Sequence, residues 1–152
     1  MSRYVITLVL AAICMCSPDL YAHCEVPCGI YGDDARFSAI AEDVQTIEKA
    51  MGMIADLASK DDAQSANQLA RWVMTKEEHA KKIQHAVTQY FMTQRLKAPT
   101  DDGAAEFASY INKLVLLHKM LSTAMLCKQS VDTTHPQVLH DLLHEFKTAY
   151  SK

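Results

Sequence analysis

His23 and Cys24 are adjacent, and Cys28 follows after three residues, in the run His23-Cys24-Glu25-Val26-Pro27-Cys28-Gly29-Ile30-Tyr31. An imidazole and two thiols this close together form a donor set for a metal that accepts nitrogen and sulfur. What lies upstream enlarges that set. Arg3 gives a short positive start, Tyr4 to Cys16 is an uncharged and mainly apolar run, and Ser17-Pro18-Asp19 ends it. Leu20-Tyr21-Ala22 then places a small residue just before His23. These are the parts of a secretory signal. The run is too short to span a bilayer, which takes about 20 apolar residues. Ile13 before Cys14 and Met15 before Cys16 argue against a lipoprotein site. The sequence therefore predicts a leader over residues 1–22, cleaved at Ala22-His23, and a metal-binding hook over 23–32 that starts with a free amine.

That amine changes the chelate chemistry. The His23 amine and the Cys24 amide nitrogen close a five-membered ring on a metal, and the Cys24 amide and thiolate close another. Cys28 returns with a second thiolate, and the His23 imidazole can reach an axial position. A planar set of two nitrogens and two sulfurs suits a d⁸ ion such as nickel better than tetrahedral zinc. Thiolates and a deprotonated amide are strong donors that stabilise Ni(III), so the site could alternate with Ni(II). Each donor must first lose a proton, which makes loading pH-dependent. An α-amine titrates at about 7.7–8.0 and is available near neutrality. Gly29 and Gly32 loosen the backbone around the hook, and Pro27 fixes one turn in it.

Composition limits the alternatives. Residues 23–152 suffice for one domain. A formal charge of −3 without a basic stripe gives no footprint for nucleic acid. Once Cys14 and Cys16 leave with the leader, Cys24, Cys28 and Cys127 remain, and an odd number cannot all pair. A Cys24–Cys28 disulfide is the structural alternative to metal binding, and Cys127 reads as a small buried hydrophobe. His140 and His144 have metal-ligand spacing but no third ligand pattern, so they read as surface or inter-helix histidines. Asp141-x-x-His144 is a single pair where a di-iron bundle needs two. The eight methionines do not form a copper-binding cluster.

The rest of the chain must position the hook, and it reads as helices. Asp33 and Asp34 can cap a first helix whose apolar positions are Phe37, Ile40, Ala41, Val44, Ile47, Met51 and Ile54. After Lys60-Asp61-Asp62, a second helix runs from about Ala63 to Lys97, with Leu69, Trp72, Val73, Ile83, Val87, Tyr90 and Phe91 inward. Pro99 and Asp101-Asp102-Gly103 stop it. A third carries Phe107, Tyr110, Ile111, Leu114, Leu117, Leu121 and Met125. Thr134 before His135-Pro136 suits a cap with Pro in the first turn of a fourth, with Val138, Leu139, Leu142, Leu143, Phe146 and Tyr150. Short connections between four amphipathic helices predict an all-α, antiparallel four-helix bundle over 33–152.

His23-Cys24-x-x-Pro27-Cys28-Gly29-x-Tyr31 resembles the N-terminal nickel hook of nickel-containing superoxide dismutases. The four-helix reading is similar to the same family's bundle. The resemblance implies one nickel ion per subunit, held by His23, Cys24 and Cys28. It implies that Tyr31 guards access to the metal, that Tyr90 of Tyr90-Phe91 is the family's second tyrosine, and that Glu25 is its acidic residue after the first Cys. It further implies a homohexamer with hooks at subunit contacts, superoxide as substrate, and a leader-processing protease as partner. Two superoxide radicals and two protons would give dioxygen and hydrogen peroxide.

The chain departs from the family in two ways. Where members orient the axial imidazole with a Glu and an Arg, this sequence has Ser38 or Ala39 and then His79, so the surroundings of the metal are either rebuilt around His79 and Glu78 or simply weaker. The leader is of export type, which joins maturation to export into a periplasm, out of the cell or into an organelle, with no membrane anchor after cleavage. Lys81, Lys82 and Lys113 are the candidates for attracting the anionic substrate. The competing function is a non-catalytic secreted bundle, either a metal carrier or a module closed by a Cys24–Cys28 disulfide.

Overall fold

A computed structural model describes residues 32–100, 103 and 105–151 of the chain. The expected leader, residues 1–22, and residues 23–31 of the expected hook lie outside the described residues. Among the described residues the chain is all-helical. It contains α1 (Asp33–Ala58), α2 (Ala63–His85), α3 (Ala105–Gln129) and α4 (Thr134–Tyr150). A π-helical segment, Ala86–Arg95, continues α2.

The apolar period of α1 becomes one buried face, with Phe37, Ile40, Val44, Ile47, Met51 and Ile54 all inside. Its N-cap is Gly32, without a side-chain bond, and Asp33 and Asp34 lie in the first turn rather than capping it. Asp62 caps α2, its carboxylate accepting from Ser65 N at 2.9 Å and Ser65 Oγ at 2.6 Å. At α4 the cap position is Thr133, one residue before the expected Thr134, and Asp132 Oδ1 takes the Thr134 amide at 2.9 Å. Pro136 sits buried in the first turn, where its missing N–H costs nothing.

The helices pack in a closed ring, each against its sequence neighbours and α4 back against α1. Phe37 near the start of α1 meets Phe91 in the π segment at 4.9 Å and Tyr150 at the end of α4 at 5.7 Å. Lys76, midway along α2, reaches Lys128 at the end of α3, and Gln84, further along α2, reaches back to Leu121. Neighbours therefore run antiparallel. The aromatic end of the core is closed by Phe91–Phe146 at 5.0 Å and Phe91–Tyr150 at 5.7 Å. Each such pair adds about 0.5–1.5 kcal/mol beyond burial.

Two features depart from the sequence pattern. Val73, Ile111, Met125 and Val138 are exposed, and Trp72 is half-buried under Lys49, whose Nζ lies 5.9 Å from the ring centre. Lys76 does the reverse. It is only 4% exposed, and its ammonium donates to the carbonyls of Cys127 (2.8 Å), Lys128 (2.6 Å) and Ser130 (2.8 Å). The last carbonyls of a helix have no partner within it, and this lysine supplies one for α3. Among the described residues, no helix is long and apolar enough to cross a membrane.

Candidate metal-centre scaffold

The described chain enters the bundle at Gly32, one residue after Tyr31 in the sequence. Asp33 is the first residue of α1, and three side chains converge on its carboxylate. Tyr90 donates its hydroxyl to Oδ1 at 2.6 Å, Arg95 donates Nε to Oδ1 at 2.8 Å, and Tyr150 donates its hydroxyl to Oδ2 at 2.8 Å. Arg95 also donates Nη2 to the Tyr90 oxygen at 2.9 Å. The guanidiniums of Arg36 and Arg95 lie 5.6 and 5.0 Å from the Tyr90 ring centre.

These contacts shift the acid–base behaviour of the group. Burial acts to raise the Asp33 carboxyl, but the tyrosine hydrogen bonds and the Arg95 charge outweigh it and hold it below the usual range. Burial first, and then the Asp33 carboxylate, push the Tyr90 phenol up, and the same two causes take Tyr150 to about 12. Both hydroxyls are therefore protonated donors at neutral pH.

The π winding makes the cluster. In an α-helix, residues five apart point roughly 140° away from each other around the axis. Here the turn closes at five residues: Leu96 N donates to Phe91 O at 2.9 Å, and the side chains of Thr93 and Gln94 reach the carbonyls of Thr88 and Gln89. Tyr90 and Arg95 consequently point the same way. Such segments are rare and are often found at functional sites.

A groove of about 900 Å³ between α1 and α2 continues from Tyr90 past His79 and Asp43. His79 Nδ1 lies 2.6 Å from Asp43 Oδ1. Burial raises the Asp43 carboxyl despite the histidine hydrogen bond. The partner of His79 is thus Asp43. Glu78, expected from the sequence beside His79, instead pairs with Lys82 at 3.2 Å. Ala39 lines the groove without a polar side chain, and Ser38 is exposed. Lys81 and Lys82 line the same groove, whereas Lys113 lines a different cavity of about 420 Å³ with Arg95 and Tyr150.

Of the residues expected from sequence, Tyr90 and His79 are brought to one groove. His23, Cys24, Glu25, Cys28 and Tyr31 lie outside the described residues. His140 and His144 are exposed on α4, and Cys127 is fully buried, its thiol pushed up to about 11 by desolvation. Asp33, Arg95, Tyr150 and Asp43 are the residues that sequence reasoning missed. Only Asp33 carried a signal, its position two residues after Tyr31.

Among the described residues, no group of three His, Cys, Asp or Glu side chains could hold a metal. His23, Cys24 and Cys28 carry an imidazole and two thiols, nitrogen and sulfur donors of the kind that nickel accepts. A family model for nickel-containing superoxide dismutase matches residues 19–152, which takes in the hook and all four helices. The chain belongs to that family. It is an oxidoreductase, a nickel superoxide dismutase, and its cofactor is nickel. No curated protein and no solved structure matches it. In the dismutase, the helical bundle carries the Asp33 cluster at the first turn of α1 and the His79–Asp43 pair in the groove between α1 and α2.

Proposed function

We propose that this dismutase works through an N-terminal hook created by removal of residues 1–22. His23 holds the metal through its amine and imidazole, Cys24 through its amide and thiolate, and Cys28 through its thiolate. When bound, nickel supplies one-electron exchange between Ni(III) and Ni(II), which lets one superoxide be oxidised and the next reduced. Tyr31 restricts access to the metal, and Tyr90 is the second tyrosine, a protonated hydroxyl donor. Glu25 adds a negative charge beside Cys24. His79, its ring fixed by Asp43, would take the place of the acidic and basic pair that the family resemblance implies beside the His23 imidazole.

Assembly as a homohexamer belongs to the same proposal. It is supported by exposed apolar side chains such as Ile111, Val115, Met125 and Leu126 on α3 and Met74 on α2. So does processing by a leader protease on export to a periplasm or beyond the cell.

The observation that carries the reading is the family match across residues 19–152, which includes every donor of the hook. The test is intact mass, N-terminal sequencing and metal analysis on protein from its native host. A chain starting at His23 with one nickel per subunit supports the reading. A retained leader, or a Cys24–Cys28 disulfide without nickel, points to a non-catalytic bundle. Adding one residue before His23 moves the free amine out of the chelate, so the extended protein should lose nickel and activity together.

A further inference from the structure

We propose that Asp33 and Arg95 are positioning residues for the metal centre: they lock the Tyr90 hydroxyl and the first turn of α1 into one arrangement, and so fix where the hook leaves the bundle. The inference rests on the hook reading above.

The first argument is covalent reach. Tyr31 precedes Asp33 by two residues and Cys28 precedes it by five. At no more than about 3.6 Å per residue, Tyr31 stays within about 7 Å of Asp33 along the chain, and Cys28 within about 18 Å. Any displacement of Asp33 is passed to the ligands through a short tether. The second is the design of the carboxylate's surroundings. Tyr90, Arg95 and Tyr150 come from the π segment and from α4, at sequence separations of 57, 62 and 117 residues. They grip the first turn of α1 from two other elements. An aspartate serving only the helix end would need none of them, since a carboxylate in the first turn already interacts favourably with the helix dipole.

The third argument is the cost of the π winding. It gives up regular α-helical geometry for ten residues, and what it gains at this end of the bundle is Tyr90 and Arg95 on one side. Arg95 holds both Asp33 and the Tyr90 oxygen, and its fork geometry suits two acceptors at once. The Tyr90 hydroxyl is thereby aimed by Asp33 and Arg95 together.

The experiment compares Asp33→Asn, Arg95→Gln, Arg95→Lys and the milder Tyr150→Phe in mature protein, after checking helicity and melting temperature. Metal-free samples are read by amide hydrogen exchange over residues 32–37, and nickel-loaded samples by nickel affinity and the electron paramagnetic resonance spectrum of the oxidised centre. Asp33→Asn and Arg95→Gln should speed exchange in the first turn by roughly tenfold. They should weaken nickel binding by roughly tenfold to a hundredfold, as outer partners of metal ligands do, and alter the spectrum. Tyr150→Phe should do less, and Arg95→Lys should restore the charge but not the spectrum. Folded variants with wild-type nickel affinity and an unchanged spectrum overturn the proposal while leaving the hook reading intact. Wild-type protein that begins at His23 and binds no nickel overturns both.

Discussion

The hydroxyl of Tyr150, the last residue of α4, is hydrogen-bonded at 2.8 Å to the carboxylate of Asp33, the first residue of α1. The two ends of the helical chain are thus tied at one carboxylate. The same tyrosine packs its ring on Phe37, Phe91 and Phe146. Releasing the end of α4 therefore breaks a hydrogen bond at the first turn of α1 and exposes the aromatic core together.

Acid should loosen this end first. The folded Asp33 carboxyl titrates below its ordinary value of 3.8, so its stabilisation is present above that pH and is lost as pH falls through the folded value. Metal-free wild type should therefore lose stability below about pH 4. Asp33→Asn should show a smaller loss over the same range, with the remainder due to Asp62 and Asp132, which are also held low. Urea midpoints between pH 3 and 6 measure this, and equal slopes for the two proteins would contradict it.

Alkali acts at the opposite end of the bundle. The Cys127 thiol is raised from 9.0 to about 11 by burial. A group raised in the folded state stabilises fully below its unfolded value and loses that contribution as pH rises through the folded value. Stability should fall between pH 9 and 11, and Cys127→Ala should flatten that fall at a neutral-pH cost of about 1–2 kcal/mol for the cavity. Denaturation at pH 8 and 10.5 is the check. The native thiol should also resist a disulfide reagent at pH 8, because it is both protonated and enclosed.

Lys76→Met removes the ammonium that now donates to three carbonyls. Those oxygens belong to the last turn of α3 and the residue after it, and at least one of them is buried. Burial already lowers the Lys76 pKa, so the ammonium is held there at a desolvation cost. Leaving the carbonyls without a donor should cost about 2–4 kcal/mol. The loss should appear as faster hydrogen exchange at the end of α3. A variant as stable as wild type would show that the methionine's packing compensates fully.

The sequence made the helices legible because burial follows period. Phe37, Ile40, Val44, Ile47, Met51 and Ile54 lie every three or four residues and are all inside. It misled where local pattern competes with tertiary contact. Val73 and Val138 continue an apolar period but face outward, while Lys76 breaks one and is buried. The Asp33 cluster was illegible for a geometric reason. Tyr90 and Arg95 are five residues apart, which an α-helical reading places on different faces, and only the π turn unites them. Asp43 and His79 are 36 residues apart on separate helices, and nothing local pairs them. The hook, by contrast, is a contiguous run, and its donor types and spacing carry its chemistry without any tertiary structure.

Superoxide is an anion and the chain carries a formal charge of −3, so attraction must come from local positive charge. Lys81 and Lys82 line the groove that holds His79 and Tyr90. Lys82 shares its charge with Glu78 at 3.2 Å, so Lys81 should contribute more of the field. Lys81→Glu should lower kcat/KM several-fold at low ionic strength, with Lys82→Glu weaker and Lys113→Glu smallest, since Lys113 lines a separate cavity. The differences should shrink by about 0.15 M salt, where screening acts over about 8 Å. Stopped-flow rates across a salt series decide the point. If the three variants keep the wild-type salt slope, the groove is not the path by which substrate approaches.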